Sequence, residues 1–329
     1  MQTRKSELTG LVLAGLVFAI NCMAFAYFFD ADEQGYIDTQ RGIDQYNAIR
    51  EFFRLPPTLT VVDLFEVRFV QILLTLIMLG ALFFTGLVTV EHLTLYLVWP
   101  YSAFLATKIK QEFILFPLAF IDLASTWRRE LFISTMILLF SLATGEKNGV
   151  IIIAFRITAF ILTRTSRYKA VFLTVAGIAA SLLLDRYFDI LARFVPQVAA
   201  YSYTRDVVNP EYSVPESAGV FLSSLHLGIN PPLDYWFHLP FSALVLFFGW
   251  LSLRESDEEE RMVFCRSIMA SAVVFILFTS VTHAFQNARY YYFIVLMLFP
   301  RLNTRMLVAL LIFSLLHTLT AVYVYEVLR

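Results

Sequence analysis

This sequence is short of charge. Only 16% of its 329 residues are Asp, Glu, Lys or Arg, while 59% are hydrophobic. Soluble domains carry roughly 25% charged and about 45–50% apolar residues. The composition, with a mean hydropathy of +0.70, therefore excludes an ordinary water-soluble domain and points to an integral membrane protein. The net charge of −1 offers no basic field to draw nucleic acid, which is not expected as a partner. Cysteine is scarce too: Cys22 and Cys265 lie far apart in apolar stretches, at no metal-ligand spacing, and read as packing residues. There is no H-E-x-x-H, Walker loop, G-x-S-x-G or cysteine–histidine metal pattern. Metalloprotease, ATPase and serine-hydrolase readings thus lose their motif support, and no cofactor is expected.

The chain does have long apolar runs. A helix needs about 20 apolar residues to cross a bilayer, with a range of roughly 17–25. Runs at 8–29, 67–88, 169–184, 235–253, 262–282 and 306–325 meet or approach that length, and shorter ones occupy 93–105, 113–124, 131–143, 150–163 and 290–300. The expectation is an all-α, polytopic membrane protein with about eleven transmembrane segments, some of them short, forming a single membrane domain over 1–329. The first run is longer than a signal-peptide core and no small-x-small site precedes Phe28, so it reads as a retained helix.

Lysine and arginine in short loops set orientation. With a cytoplasmic N-terminus, the short inside loops hold Arg4, Lys5, Arg128, Arg129, Arg164, Arg167, Lys169, Arg254, Arg261, Arg266, Arg301 and Arg305. The short outside loops hold only Lys108, Lys110, Lys147 and Arg289. Two long loops, 30–66 and 185–234, fall on the outer face, and an acidic stretch at 255–261 reads as a solvated cytoplasmic hinge.

Polar residues at membrane depth are costly and mark candidate sites. The stretch Ala106-Thr107-Lys108-Ile109-Lys110-Gln111-Glu112 lies between two apolar runs. Lys108, Lys110, Arg205 and Arg289 map to the outer face, and Arg156 lies inside a short run, where Glu146 or a carboxylate on another helix is its expected partner. A group of cations with few local acids suits a diphosphate, whose oxygens guanidinium groups bind in pairs. Asp32 and Glu33, where the first span meets the outer surface, and His283, six residues before Arg289, are the candidate bases for a hydroxyl. Tyr290 begins an aromatic run, Tyr290-Tyr291-Tyr292, suited to stacking on sugar rings.

Four short motifs carry a family resemblance. They are Asp32-Glu33-Gln34-Gly35-Tyr36 after the first span, Lys110-Gln111 beginning another, Trp127-Arg128-Arg129-Glu130-Leu131-Phe132 at a basic cytoplasmic turn, and Arg289-Tyr290-Tyr291-Tyr292-Phe293 entering a late span that ends at Pro300. In their order and intervals the chain resembles the Wzy/EpsG-type polysaccharide polymerases. It departs from them in having a lysine before Gln111 and Thr144-Gly145-Glu146-Lys147-Asn148 where that family has a histidine motif.

The resemblance implies polymerisation of undecaprenyl-diphosphate-linked oligosaccharides at the outer face of the bacterial inner membrane, with Asp32, Glu33 and His283 catalytic. Lys108, Lys110, Gln111, Arg156, Arg205, Arg289 and Tyr290 would bind substrate. It also implies membrane lipids, a chain-length regulator and a flippase as partners. Two rival expectations are a multi-span glycosyltransferase using a polyprenyl-phosphate sugar and a lipid-linked sugar transporter.

Overall fold

A computed structural model describes residues 2–26, 61–107, 112–144, 149–194, 235–282 and 302–327. Among them are twelve helices and no strand. They are α1 (Gln2–Ala26), α2 (Val61–Phe84), α3 (Val90–Val98), α4 (Pro100–Thr107), α5 (Glu112–Leu118) and α6 (Trp127–Thr144). Next come α7 (Gly149–Thr163), α8 (Arg167–Arg186), α9 (Phe188–Phe194), α10 (Tyr235–Glu255), α11 (Glu258–Thr282) and α12 (Thr304–Val327). Helices satisfy every backbone N–H and C=O internally, as hydrocarbon requires.

Four stretches, Leu8–Ala26, Phe65–Phe84, Arg167–Arg186 and Glu258–Val281, are long and apolar enough to cross a membrane, and Gly149–Thr163 and Thr304–Thr320 are shorter apolar helices. The chain is thus helical and apolar as expected of a membrane protein, while the count of eleven spans rests on the sequence alone.

Two runs differ from the sequence reading. The run 93–105 is broken into α3 and α4 at Trp99, whose φ of −72° and ψ of 123° are extended. A residue that precedes proline is pushed out of the helical region, and Pro100 follows. Each piece, at 1.5 Å per residue, reaches less than about half of the ~30 Å hydrocarbon core. All eight residues of α4 are buried, so the broken backbone is surrounded by protein. In the run 113–124, only the first part is helical; α5 ends at Leu118 and a turn follows.

The described chain forms two compact units, the first from 1–122, 135–149 and 302–329 and the second from 123–134 and 150–301, with the boundary falling inside α6. In the first unit, α1 and α12 run parallel. Gly10 lies against Leu307, and further along both helices Asn21 Nδ2 donates to Ser314 Oγ at 2.8 Å in the buried interface. Phe25 meets Phe104 edge-on at 5.6 Å, and Arg68 Nη1 donates to the Ala26 carbonyl. The last turn of α1, the early turns of α2 and the end of α4 therefore share one end of this unit.

At the opposite end α2 closes through a turn in which Gly86 takes a φ of +67°, open to glycine but strained for other residues. There the Thr89 side chain caps α3 by accepting from His92 N–H, His92 Nδ1 stands 2.7 Å from Asp122 Oδ1, and Asp122 N–H donates to Leu87 O. Between the two ends lies an aromatic core in which Tyr96 packs on Phe116 at 5.5 Å and Phe120 at 4.8 Å.

In the second unit α8 and α11 also run parallel. Arg266 reaches the Arg167 carbonyl at 3.5 Å, and an added Cβ on Gly177 would stand 3.0 Å from Val273 Cγ1. Small residues permit such close approach where lipid gives helices little hydrophobic reason to associate. The acidic stretch at 255–261 is an ordered turn. Asp257 and Glu260 cap each other's backbone N–H at 2.9 and 3.0 Å, a capping box. Arg261 covers the last carbonyls of α10, Leu253 at 3.2 Å and Arg254 at 2.9 Å. The first residues of the loop 185–234 are helical as well, extending α8 and forming α9.

In the first unit Gly149 opens α7 against α6. A Cβ there would come 2.6 Å from Ser141 Cβ, an atom fixed by the backbone. Gly149→Ala is expected to cost about 1–3 kcal/mol of overpacking, read as a lower melting temperature in detergent. Gly15 has nothing within 4 Å of its Cβ position, so Gly15→Ala is the control and should melt no lower than the parent. Equal melting of the two variants would remove the close contact.

Candidate functional site

The end of the first unit marked by Ala26 gathers the polar groups. On α2, Arg68, Gln71 and Thr75 are 1%, 0% and 1% exposed. Their spacing of three and four residues puts them on one helix face. Leu79 and Leu82 continue that buried face, while Phe69, Leu73 and Ile77 are exposed on the other. Besides its bond to the Ala26 carbonyl, the Arg68 guanidinium lies 5.5 Å from the Phe65 ring. Neither the Oε1 nor the Nε2 of Gln71 has a hydrogen-bond partner, nor does Thr75 Oγ1. Each such buried group costs about 1–3 kcal/mol.

This is also the end from which two segments depart. The segment 27–60 leaves from Ala26 and returns at Val61, and the segment 108–111 leaves from Thr107 and returns at Glu112. Asp32, Glu33, Lys108, Lys110 and Gln111 belong to these segments and lie outside the described residues. Arg205, His283, Arg289 and Tyr290 also lie outside them, in the second unit's stretch of chain, and α11 stops at Thr282, one residue before His283.

Arg156 is the one substrate-binding candidate that is described, and its surroundings are structural. It is 2% exposed and Glu130 is fully buried. Its Nε donates to Glu130 Oε1 at 2.7 Å and its Nη2 to Oε2 at 2.9 Å, while Ala124 N–H adds a 2.9 Å bond to Oε2. A carboxylate on another helix, the second of the two expected partners, thus neutralises it from α6, one turn into the basic motif; Glu146 lies outside the described residues. Nearby, Arg164 Nη2 holds the carbonyls of Ala124 at 2.9 Å and Ser125 at 2.7 Å. Its guanidinium lies over the Phe160 ring, against which Trp127 also packs. The pair therefore sits toward the start of α6 and the finish of α7, together with the basic turn.

Arg68, Gln71, Thr75 and Glu130 were not singled out in the sequence. The signal for the first three was available: an arginine one residue inside an expected span, followed by polar residues three and seven positions on. Glu130 looked like one more charge in a basic turn, and only tertiary structure supplies its partner. Among the described residues no three His, Cys, Asp or Glu side chains stand close enough to hold a metal ion. Compared with protein-family models, curated proteins and solved structures, the chain matches none.

Removing one member of a buried ion pair strands the other, at a cost of about 3–5 kcal/mol. Glu130→Ala and Arg156→Ala are each expected to fall in melting temperature accordingly. The paired change Glu130→Leu with Arg156→Leu should recover most of that loss, because two apolar side chains of adequate volume leave no charge uncompensated. The paired variant should also keep its cellular activity; normal melting with lost activity would return Arg156 to the substrate site.

Proposed function

We propose that this protein is a polysaccharide polymerase of the bacterial inner membrane. Its N-terminus is cytoplasmic, and the Ala26 end of the first unit faces outward. It moves a growing glycan from undecaprenyl diphosphate onto the non-reducing end of an incoming lipid-linked repeat. The observation that carries this reading is the shared end just described. Asp32 and Glu33, on one hand, and Lys108, Lys110 and Gln111, on the other, depart from helix ends that Phe25–Phe104 and Arg68–Ala26 contacts hold together.

In the reaction, an acceptor hydroxyl oxygen forms a bond to the anomeric carbon of the donor. The carbon–oxygen bond to the diphosphate breaks, and its electron pair leaves with the phosphate. The hydroxyl proton passes to a carboxylate, for which Asp32 and Glu33 are the candidates, or to His283. The departing diphosphate gathers negative charge, which fixed cations stabilise as it forms. Lys108, Lys110, Arg205 and Arg289 are the candidate cations. Gln111 and Tyr290 orient the glycan. The donor is already activated, so the proposal calls on no metal or nucleotide. Arg156 drops out of the binding set because Glu130 takes up its charge.

The test is the length distribution of surface polysaccharide on a gel. Cells lacking the gene should lose the ladder and show a single capped repeat. Lys110→Ala and Arg289→Ala variants that insert normally should polymerise about 100-fold more slowly, the scale seen when one stabilising donor is removed. A ladder of normal length in which each repeat lacks one sugar would instead make the protein a glycosyltransferase that adds that sugar.

A further inference from the structure

The two ends of α8 differ in charge. At its finish, and in α9 beyond it, Arg186 and Arg193 alternate with Asp185 and Asp189, so the field there is balanced. At its start Arg167 and Lys169 are exposed, and no acid occurs anywhere in 150–184. The start of α6 is joined to this place. Arg164, three residues ahead of Arg167, holds the carbonyls of Ala124 and Ser125, and Trp127 packs on Phe160. Two more exposed arginines, Arg128 and Arg129, therefore open on the same end of the second unit. The acid in that stretch of α6, Glu130, is fully buried and taken up by Arg156. Asp122, which precedes the stretch, faces His92.

We propose that the start of α6 and the start of α8 together form a binding site for the headgroup of an anionic phospholipid, with Arg128, Arg129, Arg167 and Lys169 as its cations. A surplus of exposed cations attracts anions, and guanidinium matches phosphate oxygens in pairs. The next turn of each helix selects a lipid among anions. Phe132 lies four residues after Arg128, Val171 four after Arg167 and Phe172 three after Lys169, and all three are exposed. Residues three and four apart are neighbours on a helix surface, so each of these cations stands one turn from an open apolar side chain. A phosphate held by the cations leaves its acyl chains along those residues. Exposed Trp127 and Tyr168 sit beside the cations, as amphipathic rings do at a membrane surface. Arg164 is the clamp between the two helix starts, since carbonyls and the Phe160 ring occupy its guanidinium. The acids at 255–260 belong to the turn between α10 and α11. Val273, fifteen residues into α11, meets Gly177, ten residues into α8. In this parallel pair α11 thus begins about 7.5 Å ahead of α8, and its acidic turn lies beyond the patch.

The experiment titrates the full chain in detergent micelles with phosphatidylglycerol, phosphatidylcholine or soluble glycerol phosphate, and reads affinity from the rise in melting temperature. Phosphatidylglycerol should protect more strongly than phosphatidylcholine, and added salt should weaken that protection by screening exposed charges. Arg128→Gln with Arg129→Gln, and Arg167→Gln with Lys169→Gln, should each bind phosphatidylglycerol about tenfold more weakly. All four side chains are exposed, so both variants should melt with the parent when no lipid is added. Arg186→Gln with Arg193→Gln removes the same charge from the balanced end of α8 and should bind as the parent does. Equal protection by phosphatidylglycerol and phosphatidylcholine overturns the proposal, and so does parental affinity in either patch variant. An equal loss in the Arg186 and Arg193 variant also overturns it, because a diffuse field would then replace a site. Protection by glycerol phosphate as strong as by phosphatidylglycerol would make the ligand a soluble anion and remove the lipid.

Discussion

Hydrocarbon offers no hydrogen bonds, and the rest of this structure follows from that. Backbone groups must be satisfied within each element, which is why the described residues are helices joined by short turns. The apolar run that breaks at Trp99-Pro100 is buried along both of its pieces. Among the polar side chains of the interior, Thr107 and Ser271 return to carbonyls one turn back, and Asn21 crosses to Ser314. Each keeps a polar group satisfied where water is absent.

Helix direction adds a constraint that no single span reveals. α1 and α12 lie parallel, by the contacts of Gly10 with Leu307 and Asn21 with Ser314. If both cross, the chain crosses an odd number of times, a parity that eleven spans satisfies and ten would not. Within the second unit α8 and α11 are parallel too. The capped turn joins α10 to α11.

Much of this was legible from the sequence because apolar length is a strong signal. The runs at 169–184, 235–253, 262–282 and 306–325 each fall on one helix, the described part of 8–29 lies on α1, and 67–88 lies on α2 as far as Phe84, where a turn follows. Where the reading missed, local chemistry or tertiary pairing decided the outcome. Proline at 100 split a run that hydropathy joined. The acids at 255–261 lie between two helices, with Glu255, Asp257, Glu258 and Glu259 exposed, while a count of charges does not show that Asp257 and Glu260 point at each other's backbone. The candidate site was legible only as sequence positions. Arg156 aside, its residues lie outside the described ones, whereas the flanking helix ends show that two of its segments start from one place.

Arg68 and Arg156 make the point most directly. They are the same residue type, buried to 1% and 2% in apolar helices, and a hydropathy scan treats them alike. Arg156 meets a carboxylate in paired hydrogen bonds that an amide N–H reinforces, an arrangement complete within the fold. Arg68 donates to the Ala26 carbonyl, and its neighbour one turn on is Gln71, whose amide makes no hydrogen bond. Charge buried beside a carboxylate stabilises a contact between helices. A hydropathy scan thus shows that an arginine is buried and not what it bonds to.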